Sequence, residues 1–272
     1  MMKSVAELTG DKLYGKKVLL RTDFNVPVLD GKVSEHYRIR SNKETIDFLI
    51  NNGAIIVLVS HITAVDSFEM VADQIKEILG IDFNFINDCI GEPVETAINN
   101  AKPGDVFLLE NIRKYDGEKK NDLEFAKKLA KPFNVYVNNA FSVSHRNHAS
   151  LVAVTNFLPS FAGFLLIKEI ENLNKVLKSP KENKTLIIGG NKMDTKLSVI
   201  KNFIDKTEHI LIGGAITEKM LEKNPRIIFP KDYISENDAI SDIGPKTIKE
   251  FVDIINKSKM IIWNGPLGKV ED

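Results

Sequence analysis

The chain has 272 residues, of which 43% are hydrophobic and 27% are charged, a composition typical of a globular protein with one large or two ordinary domains. Its 37 Lys and Arg balance its 37 Asp and Glu, so no overall charge favours nucleic acid or an anionic membrane. No apolar run predicts a transmembrane helix or a signal peptide, and the single cysteine, Cys89, excludes an internal disulfide. We therefore predict a cytoplasmic protein without nucleic-acid or membrane partners.

Short apolar segments alternate with helical patterns along the whole chain. Continuous apolar runs are typical of strands buried on both faces of a parallel sheet. Right-handed crossovers between such strands place binding sites at their carboxyl ends. We predict an α/β fold of two Rossmann-like domains, each with a parallel sheet covered by helices. The predicted strands are 17–21, 54–60, 83–86, 106–109, 135–138, 185–188, 210–212, 227–229 and 260–263.

Several helices carry start and stop signals. Ser41 and Glu44 have the spacing of a capping box, and the helix that follows should end near Gly53, which tolerates a left-handed backbone. A second helix is predicted over 68–79. A third is predicted to begin at Asn121.

The predicted domain boundary lies in a long helix that starts at 158–160. Its apolar residues recur at helical spacing, and a polar stretch at 178–184 follows it. We predict a first domain over 1–158, an interdomain helix over 159–178 and a second domain over 179–272. The apolar positions of that helix are Phe164, Ile167, Ile170, Leu173 and Leu177.

Asp23 and Asn25 directly follow the first predicted strand. Both are compact and polar, and at a strand end they are suited to hydrogen-bonding a substrate hydroxyl. The alternative is an ordinary turn, because Asp and Asn are common at strand ends.

Basic residues also follow predicted strands of the first domain. Arg113, Arg146 and His61 each come after a strand end, and Arg38 lies in a polar loop just before the helix with the capping box at Ser41. Guanidinium groups bind carboxylate and phosphate oxygens in a bidentate way, so together they predict a site for an anion carrying both groups. Taken singly, each arginine is more typical of a solvated surface residue, and only their joint placement favours the anion site.

The second domain contains a strand that runs into Gly189 and Gly190 and then into a helix. Such a turn lets backbone amides approach a phosphate at the helix N-terminus. Lys192 and Lys196 are four residues apart, so they can reach the same anion. The pattern alone also fits many other α/β folds, and we interpret the single tryptophan, Trp263, as core packing.

Two other motifs do not predict sites. Residues 10–17 nearly match a P-loop, but Lys17 replaces the Ser or Thr that binds magnesium. A P-loop also follows a strand, whereas this segment precedes one, so we predict a turn. His145 and His148 have no third ligand nearby in sequence, so we predict no protein-bound metal.

Four segments in fixed order resemble phosphoglycerate kinase over almost the whole chain: RTDFNVP at 21–27, SHRNHAS at 144–150, GGNKMDTK at 189–196 and WNGPLG at 263–268. The resemblance implies an enzyme that moves a phosphoryl group between 1,3-bisphosphoglycerate and ADP, giving 3-phosphoglycerate and ATP. It also implies Mg²⁺ carried by the nucleotide, two domains that close around the substrates, and a monomer.

The same resemblance implies one site in each domain. Arg38 and Lys192 would be the catalytic residues that act on the transferring phosphoryl group. The residues implied to bind 3-phosphoglycerate are Asp23, Asn25, Arg38, His61, Arg113 and Arg146. Those implied to bind nucleotide are Lys196, Gly213, Asn264 and Glu271, the last at the ribose.

Three departures from the family pattern matter. Ala64 stands where the family has an arginine, and a lost charge-assisted contact costs about 1.5–3 kcal/mol. Asn139 and Ser142 stand where the family shows Asp and Gly. The family also continues past the position of Asp272 into a glycine-rich phosphate loop, so we expect a partial nucleotide-binding domain. Two alternatives follow: a degenerate relative that binds phosphoglycerate without efficient turnover, or an incomplete gene product.

Overall fold

The structure is a computed structural model that describes residues 2–190, 193–216, 221, 223–236 and 239–269. It contains two compact units, Met1–Glu171 and Asn172–Asp272. The division of the sequence into 1–158, 159–178 and 179–272 stays a prediction.

The first unit is built on a six-stranded parallel sheet in the order β5-β6-β4-β1-β7-β8. The centre of the sheet is formed by β4, β1 and β7, which are apolar runs in the sequence. The strands are β1 Lys17–Arg21, β4 Ile55–Val59, β5 Asn84–Ile86, β6 Val106–Leu109, β7 Val135–Asn138 and β8 Ser160–Ala162, and a hairpin is formed by β2 Val28–Leu29 and β3 Lys32–Val33.

Helices cover both faces of this sheet because successive side chains of a strand point to opposite sides. Val18 and Leu20 pack into one hydrophobic cluster with helices α2 and α3. Leu19 packs into a second cluster with α4 and α6. The helices are α1 Tyr37–Arg40, α2 Lys43–Asn51, α3 Ala72–Leu79, α4 Glu92–Asn99, α5 Asp116–Lys119 and α6 Leu123–Ala130.

The second unit has a four-stranded parallel sheet in the order β11-β10-β9-β14, with one hydrophobic cluster on each face. The predicted class, α/β with parallel sheets covered by helices, is confirmed. The strands are β9 Lys184–Ile188, β10 His209–Ile212, β11 Ile227–Ile228 and β14 Met260–Asn264, the antiparallel pair is β12 Tyr233–Glu236 with β13 Ala239–Ile243, and the helices are α8 Met193–Phe203 and α9 Pro245–Ile255.

Two predicted helix starts are wrong. The Ser41 hydroxyl donates to the Tyr37 carbonyl at 2.7 Å and ends α1, so it does not cap α2. The cap of α6 is Asp122, whose carboxylate accepts from the Phe125 amide at 2.7 Å. Asn121, one residue earlier, has a left-handed backbone (φ 53°).

Other local predictions are confirmed. Gly80 ends α3 with φ 63°, and Gly53 follows α2 with φ 69°. The segment resembling a P-loop forms a 3₁₀ turn at Gly10–Lys12 and then leads into β1, as expected for a turn.

The helix predicted to begin at 158–160 begins instead at Phe164, and α7 is Phe164–Lys178. Residues Ser160–Ala162 form β8, which pairs parallel to β7. The expected apolar face is largely unburied: Leu166 is the buried residue of α7, while Leu173 and Leu177 are 46% and 50% exposed. In the described part of the chain, no helix is long and apolar enough to cross a membrane.

Candidate functional site

In the first unit, residues that follow four neighbouring strands lie along one edge of the sheet. In the order β6, β4, β1 and β7, these strands are followed by Arg113, His61, Asp23 and Arg146. Because parallel strands end at the same edge, this strand order brings the predicted residues together.

Asp23, Asn25 and Arg38 form one side of this edge. The Arg38 guanidinium lies 3.5 Å from the Asp23 carboxylate and donates to the Asn25 carbonyl at 2.8 Å. Arg38 remains 44% exposed, whereas Asp23 is buried. A cavity of about 260 Å³ opens beside Asp23 and Arg38. The arginine is thus oriented by two neighbours and keeps free donors for a ligand.

His61 lies between this side and the other arginines, and it is 1% exposed. The Arg21 guanidinium lies 3.2 Å from His61 Nδ1. Since arginine only donates, Nδ1 accepts and the ring proton resides on Nε2. Burial first, and then the positive charges of Arg21 and Arg113, lower the pKa of His61 to about 2. His61 is therefore a neutral hydrogen-bond donor.

Arg113 and Arg146 form the other side of the edge. Arg113 Nε is buried and has no hydrogen-bond partner among the described residues. Burial, and then the charges of Arg146 and Arg21, lower the pKa of Arg113. Guanidinium groups stay charged in proteins, so positive charges that act on one another across this edge favour a bound anion.

Sequence reasoning assigned no role to four residues that support this edge: Arg21, Glu118, Ser142 and Ser150. The Ser142 hydroxyl donates to the Asp23 carboxylate, so one departure from the family pattern places a donor on a predicted substrate residue. The fully buried Arg21 follows three apolar residues at the end of β1. A charged residue ending a buried strand was the available signal.

The loop after β4 contains the departure at Ala64. Asn25 Oδ1 accepts from the Thr63 amide at 2.9 Å and from the Thr63 hydroxyl at 2.8 Å. Ala64 itself is exposed. The loop is thus fastened to a predicted site residue although position 64 contributes no charge.

In the second unit, three glycine turns meet at the carboxyl ends of β9, β10 and β14. A Cβ on Gly189 would lie 2.1 Å from the Pro266 carbonyl oxygen, and one on Gly214 would lie 2.4 Å from the Gly190 nitrogen. A Cβ on Gly213 would lie 2.9 Å from the Leu267 Cα. Only glycine permits this approach, which brings backbone amides to the sheet edge.

Lys196 of α8 is held at the same edge. Its ammonium group donates to the Asn264 side-chain oxygen, and to the Asn264 carbonyl at 3.2 Å. Two of the predicted nucleotide residues, Lys196 and Asn264, therefore contact each other. A third, Gly213, lies in one of the glycine turns at the same sheet edge. The predicted residues Lys192 and Glu271 lie outside the described residues.

Trp263 does not pack in a core, so that prediction is wrong. It lies on β14, the outer strand of its sheet, and is 66% exposed. Over the described ranges, no group of three or more His, Cys, Asp and Glu side chains could hold a metal ion.

Guanidinium groups at one sheet edge, and a lysine beside glycine turns at another, are groups with which a phosphotransferase of anionic small molecules holds its substrates. The sequence matches the family model of phosphoglycerate kinase over residues 8–228 and 221–272. The chain belongs to the phosphoglycerate kinase family.

Individual relatives agree. A phosphoglycerate kinase of Dictyoglomus turgidum is 39% identical and is matched over 99% of this chain and 81% of the relative. One of Borreliella burgdorferi is 37% identical, over 94% and 79%. The crystal structure of the Pyrococcus horikoshii phosphoglycerate kinase has a TM-score of 0.88 at 28% identity, covering 98% of this chain and 81% of that one. Nothing in these comparisons favours the alternative of a degenerate binding relative.

Proposed function

We propose that this chain catalyses phosphoryl transfer between 1,3-bisphosphoglycerate and ADP, giving 3-phosphoglycerate and ATP. The observation that carries the proposal is the convergence of Arg38, His61, Arg113 and Arg146 at one sheet edge, where Arg113 Nε is buried and meets no hydrogen-bond partner in the described part of the chain. A ligand with a carboxylate and a phosphate satisfies several of these donors at once.

In the first unit, Asp23 accepts a hydrogen bond from the substrate hydroxyl. Arg113, Arg146 and the Nε2 of His61 bind the phosphate that is not transferred. Arg38 faces the carboxyl group, where charge develops as the acyl phosphate forms or breaks. Positioning and charge neutralisation supply most of the catalysis in phosphoryl transfer.

In the second unit, the glycine turns and Lys196 bind the nucleotide phosphates, and Lys192 acts on the phosphoryl group in transit. In the direction of ATP synthesis, a β-phosphate oxygen of ADP attacks the acyl phosphate. A new P–O bond forms while the bond between that phosphorus and the carboxyl oxygen breaks, which leaves 3-phosphoglycerate with its carboxylate. Mg²⁺ enters with the nucleotide as part of the substrate.

The experiment is a coupled assay of the whole chain with 3-phosphoglycerate and Mg-ATP, with Arg38→Ala and Lys192→Ala as test variants. Each variant should lose about 10²–10³ in kcat because each removes charge stabilisation from the transferring group. The matched control is Arg40→Ala, which removes the same exposed side chain from the same short helix.

Activity in Arg38→Ala equal to that of Arg40→Ala would contradict the assigned role. Binding of 3-phosphoglycerate without any turnover by the unaltered chain would support the degenerate alternative instead. We further propose a monomer that works in the cytoplasm, which sedimentation of the purified chain and fractionation of cells would test.

A further inference from the structure

A buried polar network lies beneath the basic edge of the first unit. Arg21 is fully buried, yet within the described residues no carboxylate lies at ion-pair distance from it. Its Nε donates instead to the Ser150 hydroxyl at 2.9 Å. A buried guanidinium is stable only when its donors find partners, so the groups that position Ser150 also help to position Arg21.

Ser150 is held by Glu118, which is not one of the residues at the ligand edge. Both Glu118 oxygens are used: Oε1 accepts from the Ser150 hydroxyl at 2.7 Å and Oε2 from the Ser150 amide at 2.8 Å. Glu118 and Ser150 are both fully buried. The Tyr136 hydroxyl fixes the other side of Ser150 by donating to its carbonyl at 2.7 Å.

The hydroxyl of Ser150 gives this network a single direction. It has one proton, which goes to Glu118, so its lone pairs face Arg21 and accept from Nε. One terminal nitrogen of Arg21 then lies 3.2 Å from His61 Nδ1, and the other donates to the Thr22 carbonyl. Because a guanidinium group only donates, this contact leaves the His61 proton on Nε2.

We infer that Glu118 is a positioning residue for the phosphoglycerate site: through Ser150 it holds Arg21, and through Arg21 it fixes the His61 ring as an Nε2–H donor. The inference rests on the proposed function for the identity of the ligand. It assigns to Glu118 no contact with substrate and no step in phosphoryl transfer.

Charge supports the same role. Glu118 Oε1 lies 3.7 Å from His148 Nδ1, and its charge opposes the lowering of the Arg113 and His148 pKa values. A negative group beneath several positive ones reduces their mutual repulsion while their donors stay free for a ligand. Outer residues that orient ligand-binding groups in this way are known to alter affinity without touching the ligand.

The competing explanation is that Glu118 only fastens the loop at 148–150 to α5. Its backbone carbonyl indeed accepts from the Ala149 amide at 2.9 Å. A fastening role predicts a loss of stability alone. A positioning role also predicts a change at the His61 ring and a selective loss of affinity for 3-phosphoglycerate.

The test variant is Glu118→Gln, which keeps the shape of the side chain but replaces one acceptor oxygen with an amide group. The matched control is Glu124→Gln, the same change at an exposed position of α6. One readout is the proton position on His61, from long-range ¹H–¹⁵N spectra assigned with His61→Gln. The others are KM for 3-phosphoglycerate, KM for ATP and kcat.

We expect the His61 signal of Glu118→Gln to show a mixture of the neutral Nε2–H and Nδ1–H tautomers, whereas Glu124→Gln keeps the Nε2–H form alone. KM for 3-phosphoglycerate should rise about tenfold to a hundredfold, as for a lost charge-assisted hydrogen bond. KM for ATP should stay within about twofold. A folded Glu118→Gln with the Nε2–H form unchanged, or with KM for 3-phosphoglycerate unchanged, overturns the inference.

Ser150→Ala decides the matter if Glu118→Gln does not fold. It removes the hydroxyl link to Arg21 and keeps the amide bond to Glu118, and it should give the same His61 change; an unaltered ring there overturns the inference. If the unaltered chain shows no turnover, the proposed function fails, while the His61 spectra still decide whether Glu118 positions the ring.

Discussion

His61 is the residue whose surroundings most restrict its chemistry. Burial first, and then Arg21, Arg113, His148 and Arg38, lower its pKa from its ordinary value of 6.5 to about 2. An unfolded chain therefore takes up a proton on this ring as the pH falls below about 6.5, while the folded chain does not. The folded state loses stability over that range.

As the pH falls below the ordinary pKa of histidine, we expect the free energy of unfolding of the first unit to fall by about 1 kcal/mol per pH unit because of His61. His61→Gln has no proton to take up, so the dependence of its unfolding free energy on pH should be shallower. The measurement is hydrogen exchange of the β1 amides between about pH 7 and about pH 5. The exposed His145→Gln should retain the full slope, and an unchanged slope in His61→Gln would refute the prediction.

At this scale, the sequence indicates which residues follow strands but not how they hydrogen-bond. Asp23, Arg113 and Arg146 can be predicted from strand ends alone. The network from Glu118 to His61 cannot, because Arg21 and Ser150 are 129 residues apart and meet only when β1 and the loop after β7 come together. The neutrality of His61 depends on that same meeting.

Among the elements, helix α7 has its C-terminal end held by a buried lysine. Lys184, the first residue of β9, is 1% exposed, and its ammonium donates at 2.7 Å to the carbonyls of Val176 and Ser179. Burial lowers its pKa. The last carbonyls of a helix lack partners within it, so a cation there satisfies them and interacts favourably with the helix dipole.

Lys184→Met should destabilise the second unit by about 1–3 kcal/mol, because the partly buried carbonyls of Val176 and Ser179 both lose the Lys184 ammonium, while Val176 keeps the Ser179 hydroxyl at 3.0 Å. Scanning calorimetry of the whole chain measures the effect as a lowered transition temperature. Lys181→Met, an exposed change three residues earlier, serves as the control. Equal transition temperatures for the two variants would mean that the Lys184 bonds contribute nothing net.

Element boundaries were predictable only where local signals had no competitor. Gly53 and Gly80 fixed helix ends, since the left-handed backbone is a local property. Ser41 misled because α1 ends just before α2 and uses the serine hydroxyl itself. The helix start predicted at 158–160 was wrong because the three residues of β8, Ser160–Ala162, cannot be distinguished from a helical apolar pattern by sequence. Only their pairing with β7 makes them a strand.

For the molecule as a whole, each compact unit carries its own half of the chemistry. The anion-binding arginines lie in the unit Met1–Glu171, while Lys196 and the glycine turns lie in Asn172–Asp272. The two substrates of the proposed reaction should therefore bind in separable ways, each sensitive to changes within one unit.

Gly213→Ala tests this separation. The added Cβ would lie 2.4 Å from the Leu267 side chain and 2.9 Å from its Cα, so the turn must shift. Overpacking of this kind costs about 1–3 kcal/mol, which predicts that ADP binds about tenfold more weakly by calorimetry. The dissociation constant for 3-phosphoglycerate should not change.

Lys201→Ala, an exposed change on α8, is the control and should leave both dissociation constants unaltered. A parallel loss of 3-phosphoglycerate binding in Gly213→Ala would show that the substitution disturbs more than its own unit. In that case the separation of the two half-sites would be wrong.

The fold class was predictable because parallel, doubly covered sheets leave continuous apolar runs in the sequence. The strand order β5-β6-β4-β1-β7-β8 was not. Crossover handedness is fixed by local geometry, but which strand a crossover reaches depends on packing among distant segments. That order is what makes Arg113, His61, Asp23 and Arg146 neighbours.

A site made of guanidinium groups and a permanently uncharged imidazole behaves as a fixed electrostatic background in both mildly acidic and mildly alkaline solution. Phosphate monoesters, by contrast, lose their second proton near pH 6. Any change of affinity with pH across the neutral range would thus come from ionisation of the ligand, because the charges of these site residues stay constant there.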